Sequence, residues 1–206
     1  MDEAAATDPH SVWPEVADWH PVGMHEPVYR VRTASGVVAY VRPDDGSSAL
    51  LRRLADARSL PSPRVLDAQR GWLLLSALPG VPLHDDLWLR RPVEAAAIAT
   101  DALCRLEAAG IRHGDMCLPN ILGDPETARL SGIVDWRYAD RYDREIDVAS
   151  AVWSCGFNGY GPEVATAILT GCGWRRTDAA EVDRLREVWT ALCALPDPNP
   201  GPFAVQ

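Results

Sequence analysis

One stretch, from Ile111 to Asp147, constrains this chain more than any other. It opens with IRHGDMCLPNIL, which puts Asp115 and Asn120 five residues apart on an apparent loop. Two apolar, strand-like runs follow, and Asp135 closes the second of them. A carboxylate that orients a hydroxyl, with an amide and a second carboxylate to hold a divalent cation, is what phosphoryl transfer needs. The stretch therefore predicts a phosphoryl-transfer site.

The order of these motifs resembles a known family. HGDxxxxN followed by IVDW is similar to the catalytic core of the aminoglycoside (antibiotic) phosphotransferases, which share the protein-kinase-like fold. The Cys-x-Pro-Asn after HGD, and the Asp143–Arg144 pair ahead of Asp147, are similar to one branch of that family. A lone HGD is weak, but the ordered set is fairly specific. The resemblance implies an α+β, two-lobed fold with a small antiparallel-sheet N-lobe, one helix in it, and a mainly helical C-lobe.

The resemblance also assigns roles within the stretch. Asp115 is the expected catalytic residue, with a turn aspartate as the alternative. Asn120 and Asp135 are the expected Mg²⁺ ligands, because both offer hard oxygen donors; turn stabilisation and a strand-end cap are their alternatives. His113 is expected to hydrogen-bond the loop rather than to act as a base. Asp147 is expected to brace the loop or to cap its own helix.

The predicted N-lobe, residues 12–78, has the pattern of a small sheet with one helix. PVYRVRT and VVAYVR flank a turn-forming Ala-Ser-Gly, which predicts a hairpin. The segment from Gly46 to Arg58 is helix-like, and two further strand-like runs meet at a turn near Gly71. Residues 1–11 are expected to be a frayed tail.

Three residues of this lobe are the expected nucleotide contacts. Arg42 stands where the family has a lysine for the nucleotide phosphates; an arginine binds phosphate but is longer and planar. An exposed strand-end arginine is its alternative. Ser76 and Leu78 lie in Ser-Ala-Leu-Pro-Gly, which resembles the hinge whose backbone would meet an adenine; a plain connector is the alternative. The family's phosphate-covering loop would fall on Gly23 to Tyr29, where the signal is weak.

Departures from the family pattern concentrate in the residues that are expected to bind the nucleotide and the metal ion. The helix after Gly46 lacks the glutamate that would pair with the strand lysine, and Asp56 is its only acid. Arg137 stands two positions after Asp135, where the family generally has a glycine. Together with Arg42, these departures count against efficient use of ATP.

The predicted C-lobe, residues 79–195, is mainly helical. Pro92 to Ala109 has a proline at its start and apolar residues at helical spacing, and Gly110 ends it. Family members usually carry a longer helical insertion ahead of HGD. Its shortness here implies a small or open acceptor site, or one completed by another chain, as in a homodimer. Further helices are predicted over Val148–Trp153, Gly161–Thr170 and Asp178–Leu195, before a proline-rich tail over 196–206.

Composition narrows the partners. The net charge is −9 and all 20 basic residues are arginine. An acidic chain is a poor candidate for nucleic-acid binding and suits a cationic small molecule. No apolar run approaches membrane-spanning length and no leader-like start is present, so a cytoplasmic location is expected. The five cysteines form no CxxC pair, which predicts free thiols.

The sequence thus predicts an O-phosphotransferase that uses ATP, or GTP, with Mg²⁺. Its expected acceptor is a hydroxyl of a small, cationic antibiotic of the aminoglycoside or basic-peptide kind. Two alternatives stay open: a kinase-like protein that binds a ligand or nucleotide without turnover, and a kinase for a small metabolite.

Overall fold

The structure, a computed structural model, describes residues 8–23, 26–57 and 60–195. Predictions for the two terminal tails beyond these residues, and for Met24 and His25 of the phosphate-covering loop, lie outside them. The chain folds into two compact units. One contains the described residues up to Asp56 together with Pro63–Ala77, and the other contains the described residues of Ala57–Ser62 and of Leu78–Pro196.

The first unit is built on a five-stranded antiparallel sheet in the order β1-β2-β3-β5-β4. The predicted hairpin pairs Arg30 with Tyr40, and the apolar run from Trp72 is the buried strand β5 between two neighbours. These predictions are confirmed. Its strands and helices are β1 Ala17–Pro21, β2 Tyr29–Arg32, β3 Val38–Pro43, β4 Val65–Gln69, β5 Trp72–Ser76, α1 Pro9–Val12 and α2 Ser48–Ala57.

A small apolar core closes one face of this sheet. Trp13 and Val16, which follow α1, pack with Val31 of β2 and Trp72 of β5. The Trp13 indole N–H donates to Asp67 over 2.8 Å, so its one polar atom is satisfied. The N-terminal segment is thereby fastened to the sheet of its own unit.

The second unit combines a three-stranded antiparallel sheet, in the order β6-β7-β8, with five α-helices among its described residues. The predicted helix α4 has the expected bounds, because Pro92 sits at its first turn and Gly110 ends it with a φ of 65°. Its elements are β6 Val81–Pro82, α3 Asp86–Leu89, α4 Pro92–Ala109, β7 Ile121–Asp124, β8 Arg129–Ile133, α5 Arg144–Phe157, α6 Pro162–Gly171 and α7 Ala179–Cys193.

The start of α5 differs from the prediction that a helix opens near Asp147. The helix begins at Arg144 with Asp143 as its N-cap, and Glu145 and Asp147 lie in its first turn. Acidic side chains are stabilised there by the positive end of the helix dipole. Asp147 is consequently inside the helix, where its side chain can point at a neighbouring element.

Two further properties bear on the expectations from composition. All five cysteines are free thiols. Among the described residues, no helix is both long enough and apolar enough to cross a membrane.

Candidate active site

His113 lies buried in the loop between α4 and β7 and uses both ring nitrogens. Its Nδ1 accepts from the Asp115 amide at 3.3 Å, and its Nε2 lies 2.9 Å from the Val134 carbonyl. An amide can only donate and a carbonyl can only accept, so the ring proton resides on Nε2. The ring also meets the Trp136 indole edge-on, with centroids 4.8 Å apart. His113 therefore links the loop to the end of β8.

Asp147 holds the first turn of the same loop. Its two carboxylate oxygens accept from the amides of His113, at 3.1 Å, and Gly114, at 2.6 Å. The side chain is 2% exposed, and burial raises the pKa of Asp147 while the Gly114 amide opposes that rise. Of the two roles considered for Asp147, these bonds are those of a brace, since the N-cap position belongs to Asp143.

Gly114 is the point of closest approach between the loop and the turn after β8. Its φ is 83°, and a Cβ there would overlap the carbonyl oxygen of Tyr138. Nearby, Arg112 and Asp140 exchange hydrogen bonds, with the Asp140 amide 2.8 Å from the Arg112 carbonyl. Glycine is the residue that fits both the left-handed backbone and the contact.

Hydrogen bonds connect the three residues expected to carry the chemistry. The Asn120 side-chain amide donates to the Asp115 carbonyl at 3.0 Å. The Val134 amide donates to the Asn120 carbonyl at 2.9 Å, and Asp135 follows directly with a φ of 62°. The Asp115 carboxylate accepts from the Cys117 amide at 3.3 Å and is half-buried. Asp115, Asn120 and Asp135 thus stand on one hydrogen-bonded backbone assembly.

The donor set of this assembly fits Mg²⁺. Because the Asn120 side-chain nitrogen donates to the Asp115 carbonyl, the orientation of the amide, and with it the position of its oxygen, is fixed. That oxygen and the Asp135 carboxylate are the hard donors that Mg²⁺ prefers. Over the described residues, no group of three or more His, Cys, Asp or Glu side chains is placed to hold a metal ion. A magnesium ion here would take Asn120 and Asp135, with phosphate and water as further ligands.

Arg42, the expected phosphate contact, is part of the first unit and is buried, with 8% of its surface exposed. The alternative of an exposed strand-end arginine is therefore wrong. Its guanidinium is paired with Asp45, and its Nε donates to the Pro43 carbonyl at 3.3 Å. Sequence reasoning looked for an acidic partner inside α2 and missed Asp45 in the loop ahead of it. The aspartate also accepts from the Ser47 amide at 3.1 Å.

The two residues expected at the hinge belong to different compact units. Ser76 ends β5, where its amide donates to the Arg64 carbonyl and its hydroxyl accepts from the Arg64 amide, both at 2.9 Å. Its amide is therefore engaged within the sheet of the first unit. Leu78 belongs to the second unit and is half-buried over β8, with its Cδ1 2.9 Å from where a Cβ on Gly132 would lie.

Sequence reasoning missed two residues of α5 that also hold the loop. The Ser150 hydroxyl accepts from the Met116 amide at 2.8 Å, and the Ser154 hydroxyl accepts from the Leu118 amide at 2.9 Å. Both serines are buried. With Asp147 they follow the i, i+3, i+7 spacing of one helix face, and polar residues on an otherwise apolar face were the available signal.

Comparison with known proteins points to one family. The sequence profile of the phosphotransferase enzyme family (APH) matches residues 89–188. The chain is 38% identical over 90 residues to streptomycin 3''-kinase of Streptomyces griseus, and the match covers 41% of this chain and 33% of that kinase. The chain thus spans about a third of that relative's length.

Solved structures share the fold over most of the chain. Macrolide 2'-phosphotransferase MphH from Brachybacterium faecium superposes with a TM-score of 0.62 at 13% identity, covering 87% of this chain and 84% of that one. Aminoglycoside phosphotransferase APH(3'')-Id from Streptomyces rimosus, in complex with ADP and streptomycin, gives a TM-score of 0.55 at 21% identity, covering 86% and 92%. The predicted α+β, protein-kinase-like fold is confirmed, and residues 89–188 are similar to the phosphotransferase enzyme family.

Proposed function

We propose that this protein transfers the γ-phosphoryl group of ATP to a hydroxyl group of a small, cationic acceptor of the aminoglycoside kind. The observation that supports it most is the hydrogen-bonded assembly of Asp115, Asn120 and Asp135 inside the family domain. It provides one half-buried carboxylate, at Asp115, and two further oxygen-bearing side chains on the segments bonded to it, and residues of these types are the set that phosphoryl transfer uses.

In this proposal each side chain has a separate task. Asp115 orients the acceptor hydroxyl and accepts its proton as the phosphoryl group moves. Asn120 and Asp135 hold Mg²⁺, which neutralises charge on the phosphates. His113 and Asp147 contact neither reactant and fix the loop. Most of the rate in such reactions comes from positioning and from stabilising charge, so a rigid loop matters as much as the carboxylate it carries.

The acceptor class is inferred from charge and relatives. The chain carries a net charge of −9, which favours a cationic small molecule. The curated relative is named a streptomycin 3''-kinase, and the Streptomyces rimosus enzyme was solved with ADP and streptomycin. Streptomycin is therefore the first acceptor to try, followed by other aminoglycosides and basic peptide antibiotics.

The test is transfer of labelled phosphate from γ-labelled ATP to that panel of acceptors. We expect a labelled product with wild-type protein, and about a thousandfold lower kcat for Asp115→Asn. Asp101→Asn is the matched control, because Asp101 is a partly exposed aspartate of α4 paired with Arg105. Equal product from wild type and Asp115→Asn would show that Asp115 is not the catalytic residue.

One observation favours a second candidate, a kinase-like protein that binds its ligand without turnover. Arg42 stands where the resemblance predicts a lysine and is paired with Asp45, which lies three residues further along the chain rather than in α2. Calorimetry separates the two functions. Binding of an acceptor without any affinity for MgATP would support the second, whereas MgATP affinity that is lost in Asp135→Ala would support the transferase.

A further inference from the structure

We propose that Ser150 and Ser154 are positioning residues, whose hydroxyl groups set the loop backbone that directly follows Asp115. The catalytic part of this inference rests on the proposed function. Its structural part, that α5 serves as a template for the loop, rests on geometry alone. We call the face formed by Asp147, Ser150 and Ser154 the polar stripe of α5.

The polar stripe meets the loop in register. The Asp147 carboxylate accepts hydrogen bonds from the amides of His113 and Gly114, and the two serine hydroxyls, further along the helix, accept from later amides of the same loop. Ser150 takes the amide of Met116, and Ser154 that of Leu118. Three side chains on successive turns of one helix therefore satisfy four amides of one irregular segment.

Each hydroxyl has its orientation determined by a second bond. The Ser150 hydroxyl donates its own proton to the Asp147 carbonyl at 3.0 Å, so its lone pairs remain for Met116. The Ser154 oxygen also accepts from the side-chain amide of Asn158 at 2.9 Å. Asn158 in turn donates to the Ser154 carbonyl at 2.8 Å. Both serines are therefore held by residues of α5 and its C-cap as well as by the loop.

Burial makes these bonds hard to replace. Ser150 is 0% exposed and Ser154 is 1% exposed. A loop amide has no strand or helix partner, and a buried amide without an acceptor carries a free-energy cost comparable to a lost hydrogen bond. Removing either hydroxyl leaves its amide without an acceptor where water does not reach, so the local backbone will shift.

The positions of the bonds predict different consequences for the two serines. The amides on both sides of Asp115, those of Gly114 and Met116, are held by the polar stripe. Loss of Ser150 should therefore displace the catalytic carboxylate. The Leu118 amide is two residues before Asn120, so loss of Ser154 should displace the amide proposed to hold Mg²⁺.

Hydrogen exchange tests the structural part without any substrate. We expect the Met116 amide to exchange about tenfold faster in Ser150→Ala, and the Leu118 amide about tenfold faster in Ser154→Ala, the factor for one lost hydrogen bond. Val152→Ala is the control, because Val152 is a fully buried residue of α5 that is not in the polar stripe. Loop exchange that rises equally in Val152→Ala, or not at all in the serine variants, would overturn the proposal.

Kinetics with MgATP and streptomycin tests the catalytic part. Ser150→Ala should lower kcat about tenfold while the KM for ATP changes less than about twofold. Ser154→Ala should raise the Mg²⁺ concentration for half-maximal rate about tenfold, and Ser150→Thr, which keeps the hydroxyl, should restore kcat. Identical changes in every constant for both serines and for Val152→Ala would overturn it. If the wild type phosphorylates no acceptor, the proposed function fails while the exchange result still decides the role of the polar stripe.

Discussion

The loop that carries Asp115 and the surroundings of Arg42 differ in how far apart in the chain their described hydrogen-bond partners lie. The loop amides bond to α5 side chains that are 33 to 36 residues away in the chain. Arg42 is paired with an aspartate only three residues away, and its Nε bonds to the next residue's carbonyl. The first arrangement exists only when α5 is packed against the loop, whereas the second needs only a short piece of chain.

This difference indicates where change is tolerated. A pair of residues that are close in the chain can be replaced by another local pair. Arg42 and Asp45 form such a pair, at a position where the sequence resemblance predicts a lysine. A loop that is held by a separate helix loses several hydrogen bonds when one anchoring side chain is removed, because the bonds between helix and loop act as a unit. We expect substitutions in the loop and its anchors to have the larger effects.

The largest effect is expected for Gly114→Ala. The substitution forces an L-residue into a left-handed backbone and into the Tyr138 carbonyl, and it should lower the free energy of unfolding by about 3 kcal/mol or more. Gly110→Ala is the matched control, since its φ is also positive but a Cβ there meets no atom within 4 Å. It should cost about 1 kcal/mol. Urea unfolding measures the loss of stability in both variants, and equal losses would mean that the overlap with Tyr138 does not add to the destabilisation.

Asp147→Asn should follow, with a loss of about 2 kcal/mol. Both carboxylate oxygens accept amides, and asparagine would turn an N–H group toward one of those donors. We expect faster hydrogen exchange at His113 and Gly114 together with a lower kcat. Asp85→Asn provides the comparison, because Asp85 caps the short helix α3 through a single amide at 2.8 Å. A loop that exchanges at the wild-type rate in Asp147→Asn would remove the contrast drawn here.

Arg42→Met tests whether the local pair also serves the nucleotide. If Arg42 contacts phosphate as the sequence resemblance predicts, its removal should weaken MgATP binding about tenfold, which corresponds to about 1.4 kcal/mol. Arg42→Lys, which keeps the charge, should retain most of the affinity. Calorimetry with MgATP decides the matter, and unchanged affinity in Arg42→Met would show that the arginine does not contribute to nucleotide binding.

The smallest effect is expected at the ion network that joins α5 to α7. Hydrogen bonds from Arg184 and the Trp174 indole lower the pKa of Glu181 from 4.5 to about 2, and Arg184 also pairs with Glu145 of α5. Because the folded pKa is below the unfolded value, this stabilisation is full above pH 4.5 and is lost as the pH falls towards 2. Glu181→Gln should cost about 1 kcal/mol at pH 7, with loop exchange unchanged.

The measurement for that variant is the free energy of unfolding as a function of pH. The difference in the free energy of unfolding between wild type and Glu181→Gln should become smaller as the pH falls from 4.5 to 2. Asp183→Asn, at a neighbouring exposed position, should show no such narrowing. A gap that stays constant with pH would mean that Glu181 stabilises the helix pair without its charge.

Features that depend on neighbouring residues were predictable from the sequence. The hairpin around Gly36, the helix from Pro92 to Gly110, and the strands β7 and β8 follow from turn residues, caps and apolar runs. Strand β1 was missed, because a positive φ at Asp18 and a shift in its pairing with β2 interrupt it and its side chains are mostly exposed, so no alternation is visible.

Features that depend on contacts between distant elements were harder to predict. The resemblance named His113 and Asp147, but which of two roles Asp147 has depends on where α5 begins. Ser150 and Ser154 carry no motif of their own, and only the packing of α5 on the loop gives them partners. Arg42 was judged against a lysine–glutamate pattern, which drew attention away from Asp45. The catalytic roles of Asp115, Asn120 and Asp135 stay predictions.

The close approach of Gly114 to the Tyr138 carbonyl has a consequence for engineering this protein. Library design for new acceptors usually varies the residues next to a reactive carboxylate. Here the residues just before Asp115 pack tightly against the turn that follows Asp135. Diversity introduced at residues 112–114 or 138–140 would disturb both the loop that carries Asp115 and the turn that follows Asp135. Variation should instead begin on exposed side chains such as Phe157, whose replacement leaves that junction intact.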